Sequence, residues 1–154
     1  MARNFSDIAD KKLSDVERPK LVPPGDYRVQ VVKIPSVETT GSGDWDIIRY
    51  PVSIIEMIDG DFDAVTEYGD LKNAFLSHSF MFDKNDDTAF EKAEWQMRRF
   101  LVDVLKCCEE TDSFNVGMNA SVNQQFIASV KWKQDKNDAD LYHANIAKVS
   151  SLPE

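Results

Sequence analysis

The order of the segments predicts a mainly β, α+β domain: a five-stranded barrel with one long helix between its third and fourth strands and a C-terminal β-hairpin. Three observations predict it. Residues 88–110 form the longest apolar-periodic stretch and the one strong helix, strand-like segments precede it, and two more follow it. At 154 residues and 42% hydrophobic content the chain can bury one core, so residues 25–154 are expected to form a single domain behind an N-terminal arm, residues 1–24.

That arm mixes Asp7, Asp10, Lys11, Lys12, Asp15, Glu17, Arg18 and Lys20 with sparse Phe5, Ile8, Leu13, Val16 and Leu21, and stops at Pro23-Pro24. Such a segment holds at most one weak amphipathic turn and either docks on a partner or stays mobile. From Gly25 the period becomes two: Tyr27, Val29 and Val31 alternate with Arg28 and Gln30, as in a half-buried strand entered from a turn. Residues 39–43 are a flexible loop. Residues 44–58 are the second strand, with Ile48, Tyr50, Val52 and Ile54 on one face and Trp45, Ile47 and Arg49 on the other. Pro51 cannot donate to a ladder, so a bulge or an edge is expected there.

Residues 59–71 are an acidic loop, carrying Asp59, Asp61, Asp63, Glu67 and Asp70 without a Lys or Arg. Residues 72–82 read as the third strand, where Phe75, Leu76, Phe80 and Phe82 are too dense for a clean face assignment. Thr88 and Glu91 fit a capping box. Phe90, Ala93, Met97, Phe100, Leu101, Val104, Leu105 and Cys108 then make the buried stripe of the helix. Residues 113–123 are a turn or a short helix, and residues 125–133 and 141–151 form the last hairpin across a polar connection.

The two cysteines, Cys107 and Cys108, are neighbours and exclude a disulfide framework; they read as reduced thiols, Cys108 the more buried. No run reaches the roughly 20 apolar residues of a membrane span, and the first 20 residues lack the apolar core of a signal peptide. A soluble, cytoplasmic protein without membrane association is expected.

Leu21-Val22-Pro23-Pro24-Gly25-Asp26-Tyr27-Arg28-Val29 at the first strand, residues 94–105 with Arg98 and Leu101 in the helix, and Ala128-Ser129-Val130-Lys131 followed by Asn145 and Leu152-Pro153 resemble a family of phage-encoded single-stranded DNA-binding proteins. The resemblance runs from Leu21 to the end of the chain. It implies an OB-type barrel that binds single-stranded DNA in bacteriophage DNA replication or recombination, with phage replication or recombination proteins as partners and the host cytoplasm as location.

Nonspecific strand binding needs cations for phosphates and flat rings on which bases stack, each stack contributing roughly 1–3 kcal/mol. Trp45, Arg49, Lys72, Lys131, Lys133 and Tyr142 come from three strand regions that a barrel brings near one another, and Arg28 and Trp132 are further candidates. The same residue types also fit a plain structural reading, with Trp132 and Tyr142 in cross-strand packing and the lysines as edge charges against aggregation. The net charge of −9 runs against a generic polyanion binder, although residues 59–71 concentrate much of the surplus.

Residues 59–70 place carboxylates at the first, third, fifth and last positions of a calcium loop. However, Ala64 stands where the turn glycine belongs, so a solvated loop is the preferred reading. His78 and His143 stand apart from any metal-ligand spacing, and neither a phosphate-binding glycine loop nor a nucleophile elbow is present. No enzyme activity, metal or cofactor is therefore expected. The competing function is a protein-interaction or virion-associated module acting through the helix face or the arm, which net acidity favours. Trp95 and Val102, off the helix stripe, suggest a homodimer contact.

Overall fold

Two glycines set the start of the sheet. Gly25 and Gly60 stand opposite each other, and a Cβ on Gly25 would lie 2.7 Å from the Asp59 carbonyl oxygen at a φ of +153°, so only glycine lets the strand that starts at Gly25 meet the one that ends at Gly60. The structure is a computed structural model and describes residues 5–15, 20–74 and 76–153; Phe75 of the expected third strand, and Val16, Glu17 and Arg18 of the expected arm, lie outside the described residues.

Six strands form one antiparallel sheet: β1 (Gly25–Val31), β2 (Ser36–Thr39), β3 (Trp45–Gly60), β4 (Leu76–Asp83), β5 (Gln125–Gln134) and β6 (Tyr142–Ser150). The central path runs β2-β3-β1-β5-β6, with β4 on the other edge of the first half of β3. The expected five-stranded closed barrel is thus corrected in two respects. The extra strand arises because β1 and β2 follow the same edge of β3, interrupted at residues 32–35. Closure fails because, among the described residues, no ladder joins β4 to β6, although the two strands approach each other.

The interruption has a cause in Pro51. Its carbonyl accepts from the Val32 N–H at 3.3 Å, so its missing N–H faces the same edge, where the break leaves no acceptor to satisfy. Pro51 therefore sits at neither the expected bulge nor the expected edge strand, but in an interior strand at the break between β1 and β2. The bulges of β3 lie elsewhere, at Ile55 and Ile58, where its register against β1 shifts and both side chains turn outward.

Between β3 and β4 the acidic segment is ordered as α1 (Phe62–Tyr68) and a 3-10 turn (Leu71–Asn73), which corrects the loop expectation. Asp61 caps α1 by accepting from the Asp63 and Ala64 amides at 3.1 and 3.2 Å, and Asp70 caps the turn by accepting from Lys72 N–H at 2.9 Å. Asp59 belongs to the β1–β3 ladder. Two of the four carboxylates in the calcium spacing, Asp61 and Asp70, are thus engaged as caps, and among the described residues no group of His, Cys, Asp or Glu is placed to hold a metal ion.

The long helix is α2 (Asp87–Arg99), which runs on into a π-helical turn, Phe100–Val104. It ends there, short of the expected residue 110: Leu105 N–H bonds back to the Phe100 carbonyl, and Lys106 takes a left-handed φ of 54°. Its N-cap is Asp86, accepting from Ala89 N–H at 3.1 Å, in place of Thr88. Ala93, Met97, Phe100, Leu101, Val104 and Leu105 are buried as the stripe predicts. Residues 113–123 contain a short helix, α3 (Phe114–Ala120), packed so closely that a Cβ on Gly117 would lie 2.8 Å from Leu101 Cδ1.

Inside the sheet, β1 contributes Tyr27, Val29 and Val31, and β5 contributes Phe126, Ala128 and Val130. Tyr50, Phe80, Phe100 and Phe126 meet edge to face or tilted, with ring centroids 5.1 to 6.2 Å apart. On β4, Leu76, Phe80 and Phe82 point inward, which resolves the dense run of the sequence. Val22, ahead of β1, is buried in the same core. Cys107 and Cys108 are both half-buried rather than ranked, and burial pushes the Cys107 thiol up to about 11. Among the described residues no helix is long and apolar enough to cross a membrane.

Candidate nucleic-acid interface

Strand parity decides which candidate side chains can share a surface. On β3 the outward positions are Trp45, Ile47 and Arg49, as the alternation predicts, since Tyr50, Val52 and Ile54 are buried behind them. On β4 the residues directly opposite are Asp83, Met81 and Ser79, and these therefore face the same side. Met81 is 53% exposed. The outcome is a face with a half-buried indole, Ile47, Met81, Ser79 and one guanidinium, with the Asp83 carboxylate opposite the indole and the loop at residues 40–44 at its border. Sequence reading missed Met81. Its signal was available in the alternation from Leu76 to Phe82, once Phe75 is set aside.

Charge on this face is mixed. Arg49 sits 3.4 Å from Glu38 on β2, in a half-exposed pair that water and salt weaken. On the opposite side of the strand, Asp46 accepts from the Thr39 hydroxyl at 2.8 Å and lies 3.1 Å from Lys84; these hydrogen bonds hold its carboxyl below the usual range.

A second group lies on β1 and β5. Lys131 and Lys133 share the outward side of β5, opposite Asn145 and His143 of β6, and neither is in an ion pair among the described residues. Lys148 of β6, opposite Ser129, extends the row and was not foreseen. Arg28 faces the same way from β1, but it is ion-paired with Glu56 directly across the ladder, and its position opposite Ile127 puts it four residues, about 13 Å, from Lys131 along β5.

Trp132 and Tyr142 do not join the lysines. Their parity is that of Phe126, Ala128 and Val130, so they emerge on the core side where the hairpin overruns the body. They remain 49% and 45% exposed. The Trp132 indole N–H donates to the Val22 carbonyl at 2.7 Å, which ties residues 20–24 across the end of β5. Lys72 lies on the 3-10 turn before β4 instead of on the expected third strand, because Asp70 caps that turn. The structure thus puts Trp45 and Arg49 on one face of β3, four residues apart with Ile47 between them, and sets Lys131 beside Lys133 on β5. It leaves Arg28 on the outer side of β1 paired with Glu56, and places Lys72, Trp132 and Tyr142 elsewhere.

A third feature lies where β4 and β6 fail to pair. A cavity of about 330 Å³ opens there, lined by His78, Ser79, Gln96, Arg99, Phe100 and Lys148 among others. It contains two cations and no carboxylate in an otherwise acidic chain. The ring of His78 is packed against Phe80 and Phe100 at 4.8 and 5.1 Å, and burial pulls its pKa down to about 4, so it is neutral at physiological pH.

The arrangement can hold a flat, anionic chain by stacking and diffuse charge. Comparison with protein-family models finds no match, and no curated protein matches the sequence.

Proposed function

We propose that the chain is a sequence-nonspecific single-stranded DNA-binding protein with an OB-type barrel, acting in bacteriophage DNA replication or recombination in the host cytoplasm, with phage replication or recombination proteins as partners and no catalysis of its own. The observation that carries this reading is the outward face of β3 and β4, where Trp45, Ile47 and Met81 lie beside Arg49. With β1 and β2 taken as one interrupted strand, β3 and β4 are the second and third strands of the barrel, the face on which OB-type barrels bind oligonucleotides, and such barrels are partly open. Lys131, Lys133 and Lys148 on the β5–β6 hairpin supply phosphate contacts that no carboxylate of the described residues neutralises by an ion pair.

A labelled oligo-dT titrated at salt concentrations between about 50 and 200 mM tests the reading. Wild-type affinity falls with salt. Trp45→Ala weakens binding by roughly 5- to 150-fold, the loss of one stacked base, with an unchanged unfolding midpoint. The double substitution Lys131→Glu with Lys133→Glu flattens the salt dependence. Absence of any salt-sensitive shift with the wild-type protein sinks the proposal; equal binding by Trp45→Ala removes that ring from the site.

A further inference from the structure

We propose that the groove between α2 and the start of α3 is a docking site for a basic amphipathic helix of a partner protein. The groove has a cavity of about 340 Å³ whose floor is apolar: Trp95, Leu101, Val102, Cys108 and Phe114. Trp95 is 59% exposed, in the middle of a helix whose other large apolar residues are buried or packed on the core, and Phe114 is exposed at the opposite wall. Single exposed apolar residues are ordinary; a ring, a valine and a phenylalanine around one cavity form a patch.

The rim states the chemistry of the occupant. Glu91, Glu94, Glu109, Glu110 and Asp112 surround the apolar floor. The one cation, Arg98, is already engaged: its guanidinium lies 4.6 Å from the Trp95 ring centroid and is 2.6 Å from Glu110. It props the ring and ties the segment after the helix, leaving the rim with uncompensated negative charge. An occupant with apolar anchors flanked by Lys or Arg complements such a groove, whereas polyanionic DNA is repelled from it. A second copy docking by the same face would set carboxylates against carboxylates, which disfavours the homodimer suggested by Trp95 and Val102.

Shape selects a helix over a strand. One wall is α2 with its π turn, whose backbone groups bond within the helix, and the other is the bent segment 108–113 leading into α3, so neither offers an extended peptide a strand edge to pair with. The lining residues from Glu91 to Val102 run about 16 Å along α2, three turns of an opposed helix reading out anchors at i, i+3, i+4 and i+7.

The test uses the full chain and a labelled 18-residue helical peptide with Leu at that spacing and Lys elsewhere, beside a counterpart with Glu in place of every Lys. Fluorescence anisotropy should show binding of the Lys peptide alone. Trp95→Ala should weaken it at least tenfold, and so should the double reversal Glu91→Lys with Glu94→Lys, whose positions lie on the helix surface and leave the fold intact. The matched reversal Asp63→Lys with Glu67→Lys on α1 should leave it within twofold, and oligo-dT binding should be unchanged in the groove variants. Equal loss from the two reversals would mean diffuse attraction to an acidic molecule and overturn the proposal. Unchanged binding by Trp95→Ala would do the same, as would a sedimenting dimer that Trp95→Ala converts to monomer.

Discussion

His78 shows how a single side chain couples packing to pH. Its ring lies among Phe80, Phe100 and Phe126, and burial lowers its pKa from 6.5 to about 4. Between those values the unfolded chain binds a proton that the native state excludes. Stability contributed by the neutral ring is therefore complete above pH 6.5 and is lost as pH falls toward 4. Between pH 7.5 and 5 the loss is about 2 kcal/mol. Urea unfolding at the two pH values should show that this part of the difference disappears in His78→Phe; parallel losses in both proteins would contradict it. The sequence marked His78 as isolated but could not show its ring neighbours, since Phe100 and Phe126 reach it from distant segments. Trp45 and Arg49 were legible because alternation alone fixes the face of a strand. The partner of Arg49 was not: Glu38 is set by hairpin register, which depends on a loop without strong turn chemistry.

At the scale of elements, the hydrophobic stripe located α2 and its buried residues correctly, and the ends were misread for different reasons. At the N-terminus two candidate caps compete within three residues, and the fold selects Asp86 over Thr88. Asp86→Ala should therefore cost about 1 kcal/mol and Thr88→Ala only a few tenths, measured by chemical denaturation. At the C-terminus the apolar pattern continues through Cys108, yet the backbone leaves the helix at Lys106, where the π turn changes the rotation. The acidic segment was misread as a loop because it lacks an apolar stripe of ordinary length: α1 is seven residues, with only Val65 and Tyr68 packed on the core. Two of its carboxylates, Asp61 and Asp70, are helix caps, a use that sequence spacing alone does not separate from metal ligation.

Across the whole molecule, the succession of strands and helices along the chain was legible, whereas closure and strand count were not. Closure depends on whether β4 and β6 come within hydrogen-bond reach, a property of sheet curvature that no local pattern encodes. Strand count turned on one proline that breaks the ladder opposite it. The surface charge is partitioned, with carboxylates gathered on α1 and the α2–α3 groove and lysines in a row on β5 and β6. Hydrogen exchange should follow the same architecture. Amides of β1, flanked on both sides and carrying the fully buried Tyr27, Val29 and Val31, should be the slowest, and the facing edges of β4 and β6 among the fastest of the sheet. Uniform protection across the strands would contradict an unpaired β4–β6 edge. That gap has a mechanical consequence. Widening or narrowing it breaks no backbone rung, because those two strands share none among the described residues, so side-chain packing bounds the space between them.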